Sequence, residues 1–212
     1  MKYRYLNINE VNIEEVTKHV SSARLEKTSK LKTDADKKRS VCVEYLLNEM
    51  INEVVEGIEV PVMLTYDEKG KPHIYDNDGK DAIQFSLSHS GDYVACIVSD
   101  RECGIDIEKH SDRRDYEKIA KRICTESELK MIKSSEEFYD LWTLKEAILK
   151  ATGMGLSLDM RKVEFVNDSN GLSQEINNNE KTFITEVFGT TYKGTILKAP
   201  EGYSLSYVEE II

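Results

Sequence analysis

The decisive stretch of the sequence is Gly104-Ile105-Asp106-Ile107-Glu108, in which apolar and acidic side chains alternate. This period of two is typical of a β-strand, because successive side chains of a strand point to opposite faces. Ile105 and Ile107 would face a core, and the two carboxylates would face the other way, about 7 Å apart. Carboxylates aimed together repel each other unless a cation or a basic partner lies between them. The stretch therefore predicts either a magnesium site or an antiparallel strand with one solvated face.

The residues before this strand predict one long helix followed by two further strands. Apolar residues recur at helical spacing before Gly57, which is a plausible helix stop. They are Val43, Leu47, Met50, Ile51 and Val54. Residues 83–88 alternate between apolar and polar side chains, and residues 93–98 form a second strand-like run.

The residues after this strand repeat the same order. Thr125 with Glu128 and Ser134 with Glu137 have the spacing of a capping box. The second pair opens a predicted helix that runs from Phe138 to Ala151 and stops near Gly153. Strands are then expected at residues 163–166, 183–187, 192–197 and 203–208, with a turn at 177–179. Helix followed by strands thus occurs twice, which predicts an α+β protein of two similar halves, residues 1–110 and 111–212.

Composition excludes several classes of protein. The chain has 212 residues and a net charge of -10, so its overall field disfavours nucleic acid. Its four cysteines include no C-x-x-C pair, which argues against zinc and against a disulfide framework. There is no run of 18 apolar residues to span a membrane, and the first residues are not an apolar signal region. A cytoplasmic protein is expected.

Three other segments could carry chemistry. Glu146 and Lys150 lie four residues apart on a predicted helix and are either site residues or a surface ion pair. The strand and turn at residues 86–91 carry three serine hydroxyls and His89, which suit phosphate, although a plain turn is the alternative. Basic residues between Arg24 and Arg39, joined by Lys71, could hold a phosphate-rich molecule or form a solvated helix face.

In their order and spacing, these segments resemble the Sfp-type phosphopantetheinyl transferases. The resemblance covers residues 20–165 and rests on the following blocks: Gly70-Lys71-Pro72, Phe85-Ser86-Leu87-Ser88-His89-Ser90, Gly104-Ile105-Asp106-Ile107-Glu108, Trp142-Thr143-Leu144-Lys145-Glu146 with Lys150, and Gly153-Met154-Gly155-Leu156. It implies two pseudo-symmetric α/β halves with the active site at their interface. It also implies transfer of 4'-phosphopantetheine from coenzyme A to a serine of an apo acyl or peptidyl carrier protein, giving 3',5'-ADP.

The resemblance also implies a role for each site residue. Asp106, Glu108 and Glu146 would hold Mg²⁺, and Asp106, Glu146 and Lys150 would be catalytic, with Glu146 helping to deprotonate the serine. The remaining residues, together with Lys150, would bind coenzyme A: Arg24, Lys27, Arg39, Lys71, Ser88 and His89. The sequence departs from the family pattern at Ser86, where asparagine is common, and at Lys32, where an aromatic residue is common.

Partners and alternatives complete these expectations. Residues 110–124 form the candidate docking surface for the carrier because they include Arg113, Arg114, Lys118, Lys121 and Arg122. A monomer is expected, since both halves lie in one chain. Two alternatives are a metal-dependent phosphohydrolase of coenzyme A or a nucleotide, and a non-catalytic coenzyme A-binding module. Three converging carboxylates argue against the second, because simple binding does not need them.

Overall fold

A computed structural model describes residues 1–76, 78–113, 115–167 and 181–211 of the chain. Their contacts divide the chain into two units, Met1–Arg101 and Glu102–Ile212. Both units combine helices with antiparallel sheets, so the predicted α+β class is confirmed. None of the helices in these ranges has the length and apolar character needed to cross a membrane.

The first unit packs one long helix on a three-stranded sheet of order β1-β5-β4. Its helices are α1 Ile13–Val16, α2 Ser22–Ser29 and α3 Asp34–Val54, and its strands are β1 Lys2–Asn7, β2 Thr65–Tyr66, β3 Pro72–His73, β4 Gln84–Ser90 and β5 Tyr93–Ser99. The predicted long helix is α3, whose apolar face includes Leu47 and Ile51, both fully buried. Thr33 caps its first turn by accepting a hydrogen bond from the Asp36 amide.

The second unit packs helix α6 on a five-stranded sheet of order β6-β10-β9-β8-β7. Its helices are α4 Tyr116–Ile123, α5 Glu126–Met131 and α6 Ser135–Thr152, and its strands are β6 Cys103–Lys109, β7 Val166–Asn167, β8 Lys181–Val187, β9 Thr190–Leu197 and β10 Tyr203–Glu210. The decisive stretch lies in β6. We expected β6 at the end of the first half, but it pairs with β10 and so lies in the second unit.

Two local expectations were wrong. The strand predicted at residues 163–166 is confined to β7, because the Val163 carbonyl and the Phe165 amide bond to side chains instead of a neighbouring strand. Ser134 caps α6, but the Glu137 carboxylate accepts from the Lys133 amide and not from Ser134, so the capping box is incomplete. The box at Thr125 and Glu128 has both bonds and is confirmed. The turn predicted at residues 177–179 lies outside the described residues.

Candidate active site

Strand β6 and helix α6 approach each other unusually closely at Gly104. A Cβ atom at this position would lie 1.9 Å from the Ala147 carbonyl oxygen and 2.8 Å from the Ala151 amide nitrogen. Only glycine therefore permits this contact. Side chains at alternate positions share a face of the strand, so Asp106 and Glu108 lie on the same face as Gly104. A solvated face was one of the two alternatives from the sequence, but α6 packs against this face and Asp106 is only 6% exposed.

Lys150 connects the helix to the strand at this point. Its ammonium Nζ donates to Oδ1 of Asp106 at 2.7 Å and to the Ile105 carbonyl oxygen at 3.1 Å. The alternative of a surface ion pair between Glu146 and Lys150 does not describe this arrangement, because the lysine reaches across to β6. The structure thus brings residues predicted from two separate motifs into direct contact.

Glu146 lies half-buried on α6 and belongs to the same group of charges. Burial raises the pKa of its carboxyl above the ordinary value, the Asp106 and Glu108 carboxylates raise it further, and Lys150 opposes them. Like charges disfavour ionisation of a carboxyl only when they are near. The Glu146 carboxyl therefore feels the charges of Asp106 and Glu108, and a shared role of the three carboxylates as magnesium ligands stays a prediction.

The donor set of this site suits a hard divalent cation. Three carboxylates and one ammonium leave an excess of two negative charges, and carboxylate oxygens are preferred ligands of Mg²⁺. Within the described ranges, no three or more acidic, histidine or cysteine side chains are placed so that together they could hold a metal ion. Mg²⁺ commonly binds through one or two carboxylates plus phosphate oxygens, so such a group is not required.

A buried ion pair behind the site was missed by sequence reasoning. Nζ of Lys145 lies 2.8 Å from Oε2 of Glu128, and both side chains are fully buried. Lys145 also donates to the carbonyls of Met160 and Val163, and Glu128 accepts from the amides of Thr125 and Phe165. The pair joins α5, α6 and the segment before β7. A lysine within the apolar run of α6 was the available signal for it.

In the first unit, Arg24 and Lys27 line a cavity of about 330 Å³. Nε of Arg24 donates to Oε2 of Glu44 at 2.7 Å, and both side chains are nearly fully buried. Lys27 lies over the ring of Tyr66, 5.9 Å from its centroid. Because Glu44 balances the charge of Arg24, Lys27 is the more available of the two cations.

Arg39 and His89 come together near Asp36. Arg39 donates to Oδ1 of Asp36 and to the carbonyl oxygen of Gly91, both at 2.6 Å. The pKa of Asp36 is lowered by hydrogen bonds from Thr33 and Arg39 and by the nearby charge of His89. Ser88 is buried whereas His89 is exposed, and neighbours on β4 point to opposite faces. Contact of both side chains with one phosphate group stays a prediction.

Lys71 ends a tight turn that begins at Asp67. Oδ1 of Asp67 accepts from the amides of Lys69 and Lys71, and Gly70 has a φ of +86°, which favours glycine. The turn is repeated at Asp76, whose Oδ1 accepts from the amides of Asp78 and Lys80. The repeated Tyr-Asp-x-x-Gly-Lys at residues 66–71 and 75–80 could have shown this in the sequence.

The expected docking segment contains the amphipathic helix α4. Ala120 is buried in the core, and Tyr116, Ile119 and Ile123 pack against it. The basic residues on its other side are exposed: Lys118, Lys121 and Arg122. Arg113 is also exposed, and Arg114 lies outside the described residues.

Comparison with known families identifies the group to which this site belongs. The model of the 4'-phosphopantetheinyl transferase superfamily matches residues 102–208, which include all four residues of the charged cluster. The chain belongs to this superfamily. The model of the 4'-phosphopantetheinyl transferase N-terminal region matches residues 9–101. The resemblance found in the sequence motifs is thereby confirmed.

Three curated relatives illustrate the relationship to other phosphopantetheinyl transferases. The chain is 32% identical to 4'-phosphopantetheinyl transferase gsp of Aneurinibacillus migulanus, over 67% of this chain and 63% of the relative. It is 32% identical to Sfp of Bacillus subtilis, over 66% and 63%. It is 36% identical to HetI of Nostoc, over 45% and 44%. The chain thus spans less than two thirds of the length of the relatives it matches.

Proposed function

We propose that the chain transfers the 4'-phosphopantetheine group of coenzyme A to a serine of an apo carrier protein. In this reaction the serine Oγ forms a bond to the phosphorus that carries the pantetheine. The bond from this phosphorus to the bridging oxygen of the pyrophosphate breaks, and 3',5'-ADP leaves with the bonding electrons. The serine proton passes to a base. Such a transfer depends on positioning and charge neutralisation more than on covalent help from the protein.

The contact of Lys150 on α6 with Asp106 on β6, beside a Glu146 carboxyl that feels the charges of Asp106 and Glu108, is the observation that carries this proposal. We propose that the three carboxylates hold Mg²⁺ together with the pyrophosphate oxygens. Bound there, the ion would neutralise the pyrophosphate charge. The contact of Lys150 with Asp106 supports a role for Lys150 beside the leaving phosphate, where its positive charge would stabilise 3',5'-ADP. Burial and like charge raise the pKa of Glu146, which favours proton acceptance from the serine.

The first unit is proposed to bind the nucleotide end of coenzyme A. Lys27 and the ring of Tyr66 form part of one cavity, which suits a phosphate beside an aromatic base. Lys71, held by its Asp67 turn, and the exposed His89 would supply further phosphate contacts, with Ser88 alongside. Arg24, through its pair with Glu44, would also hold α2 against α3. Arg39 is assigned to the same nucleotide because it lies with His89 beside Asp36.

The proposed docking surface for the carrier is the exposed basic side of α4 together with Arg113. Lys118, Lys121 and Arg122 give this side local positive charge on a chain whose net charge is -10. Complementary charge steers association, so an acidic carrier is the fitting partner.

We also propose that the protein acts as a cytoplasmic monomer that does not bind nucleic acid. All four cysteines are buried and none of them forms a disulfide within the described residues, which suits a reducing compartment. Both family regions lie in one chain, which supports a monomer. Light scattering on the purified protein tests its oligomeric state.

Product analysis tests the proposed reaction against its alternatives. The protein is incubated with coenzyme A and Mg²⁺, with and without a panel of apo carriers. The proposal expects 3',5'-ADP and a phosphopantetheine-bearing carrier only when a carrier is present. Cleavage of coenzyme A without any carrier would instead indicate a phosphohydrolase, and binding without cleavage would indicate a binding module.

A further inference from the structure

Strand β10 supplies none of the proposed magnesium ligands, yet it lies beside two of them. It pairs with β6 so that Ser206 is opposite Asp106 and Ser204 is opposite Glu108. Residues directly opposite each other in an antiparallel pair project from the same face of the sheet. The two serines therefore share the face that α6 covers, and they are 0% and 2% exposed.

Both serine hydroxyls are bonded to helix α6. Oγ of Ser206 lies 2.7 Å from Oγ1 of Thr143, and Oγ of Ser204 donates to Oδ1 of Asp140 at 2.7 Å. Thr143 and Asp140 precede Glu146 by three and six residues, so all three lie on one side of the helix. Each proposed ligand on β6 is therefore paired across the sheet with a serine of β10, and the hydroxyl of that serine is hydrogen-bonded to α6.

The residues that directly follow β6 also contact Ser204 and helix α6. Nε2 of His110 lies 3.0 Å from Oγ of Ser204, and the His110 ring stacks on Tyr139 of α6 at 4.7 Å. The amide of Ser111 donates to the hydroxyl oxygen of Tyr139. The residues that follow Glu108 are therefore fixed to the same helix that carries Glu146.

These bonds fix the position of the helix along the sheet more strictly than apolar packing can. Hydrogen bonds depend steeply on distance and angle, whereas apolar contact has no direction. A shift of α6 by one residue would move it about 1.5 Å. It would separate the buried Ser206 hydroxyl from Thr143, which is costly for Ser206, whereas Thr143 would keep its bond to the Asp140 carbonyl within the helix.

The geometry points to Thr143–Ser206 and Asp140–Ser204 as positioning links that set the spacing between Glu146 and the β6 carboxylates for Mg²⁺. This inference rests on the proposed function and concerns the same site. The four residues touch neither the substrate nor the metal in this scheme. Partners that orient metal ligands commonly change metal affinity by about 10- to 100-fold when they are removed.

The test is a calorimetric titration of Mg²⁺ into the protein saturated with coenzyme A. The double variant Thr143→Val with Ser206→Ala removes both partners, so no buried hydroxyl is left unpaired and the fold is retained. Its Mg²⁺ affinity should fall about 10- to 100-fold, while its melting temperature and its KM for the carrier stay near those of the parent. Thr143→Ser keeps the hydroxyl and should restore most of the affinity. Ser204→Ala removes the other link and should also weaken Mg²⁺ binding.

Thr195→Val is the matched control. Thr195 is buried in the same sheet, and its Oγ1 has no hydrogen-bond partner within the described chain, so its loss should leave Mg²⁺ affinity unchanged. If the parent binds Mg²⁺ and both link variants bind it with the same affinity as the parent, the positioning role is wrong. The proposed metal site would not be affected by that result. A parent that binds no Mg²⁺ in its coenzyme A complex would overturn the proposed metal site, and this inference with it.

Discussion

The ammonium Nζ of Lys150 lies 2.7 Å from Oδ1 of Asp106 and so joins helix α6 to strand β6. The sequence places these residues 44 positions apart. A surface lysine on this helix would have paired with Glu146, its neighbour four residues earlier. The observed contact instead places Lys150 beside the Asp106 carboxylate. Replacement of the individual charged residues around this contact should therefore have different effects.

Replacement of Glu146 or Lys150 should impair the proposed transfer in different ways. Glu146→Gln keeps the shape of the side chain but removes a charge, so it should weaken Mg²⁺ binding and cut turnover steeply. Lys150→Ala removes positive charge beside the leaving phosphate and should lower turnover by about 10²- to 10³-fold, with a smaller change in Mg²⁺ affinity. The measurement is a Mg²⁺ titration of carrier modification.

Glu136→Gln is the control for this experiment, because Glu136 is exposed on the first turn of the same helix. It should behave like the parent. Curves for the Glu146 and Lys150 variants that match this control would remove both residues from the active site.

Recognition of the 3'-phosphate should depend on the basic residues of the first unit. If Lys27 and its neighbours bind this end, dephospho-coenzyme A should bind more weakly than coenzyme A. Loss of one charge-assisted contact costs about 1.5–3 kcal/mol, or roughly 10- to 150-fold in affinity. Lys27→Ala should reduce the preference. Equal affinities for both ligands by calorimetry would show that the 3'-phosphate is not recognised.

Gly104→Ala should destabilise the second unit. The added Cβ would meet the backbone of Ala147 and Ala151, which cannot rotate away. Overpacking of this kind costs about 1–3 kcal/mol. In Gly194→Ala, the matched control, the nearest atom to the new Cβ is the flexible end of Leu144 at 2.8 Å, so the loss should be smaller. Urea unfolding of both variants measures the difference, and equal stabilities would contradict the close approach.

The sequence predicted the strand and the helix that carry the candidate site, but not how these two elements pack. Alternation in residues 104–108 and helical spacing through Phe138 and Leu141 are local signals, so both elements were predictable. The packing of α6 over Asp106 was not predictable, because it depends on which face of the strand is packed against a helix that lies far away in the sequence. Strand residues 163–165 were overpredicted for a similar reason: their polar backbone groups bond to Lys145 and Glu128, which lie far away in the sequence.

Lys145→Met should destabilise the protein strongly although it removes no proposed ligand. It leaves the Glu128 carboxylate buried without its cation, and breaking a buried ion pair costs about 3–5 kcal/mol. The double variant Lys145→Met with Glu128→Gln removes both charges and should recover part of that loss. Denaturant unfolding checks this, and a single variant as stable as the parent would contradict a structural role for the pair.

The intact mass of an apo carrier after incubation with coenzyme A, Mg²⁺ and the protein tests the central claim most directly. The parent should add the mass of one phosphopantetheine group to the carrier serine. Asp106→Asn keeps the size of this buried side chain but removes the charge that Lys150 and Mg²⁺ need, so it should leave the carrier mass unchanged while the protein stays folded. An unmodified carrier with the parent across the whole panel, or a fully modified carrier with Asp106→Asn, would contradict the account.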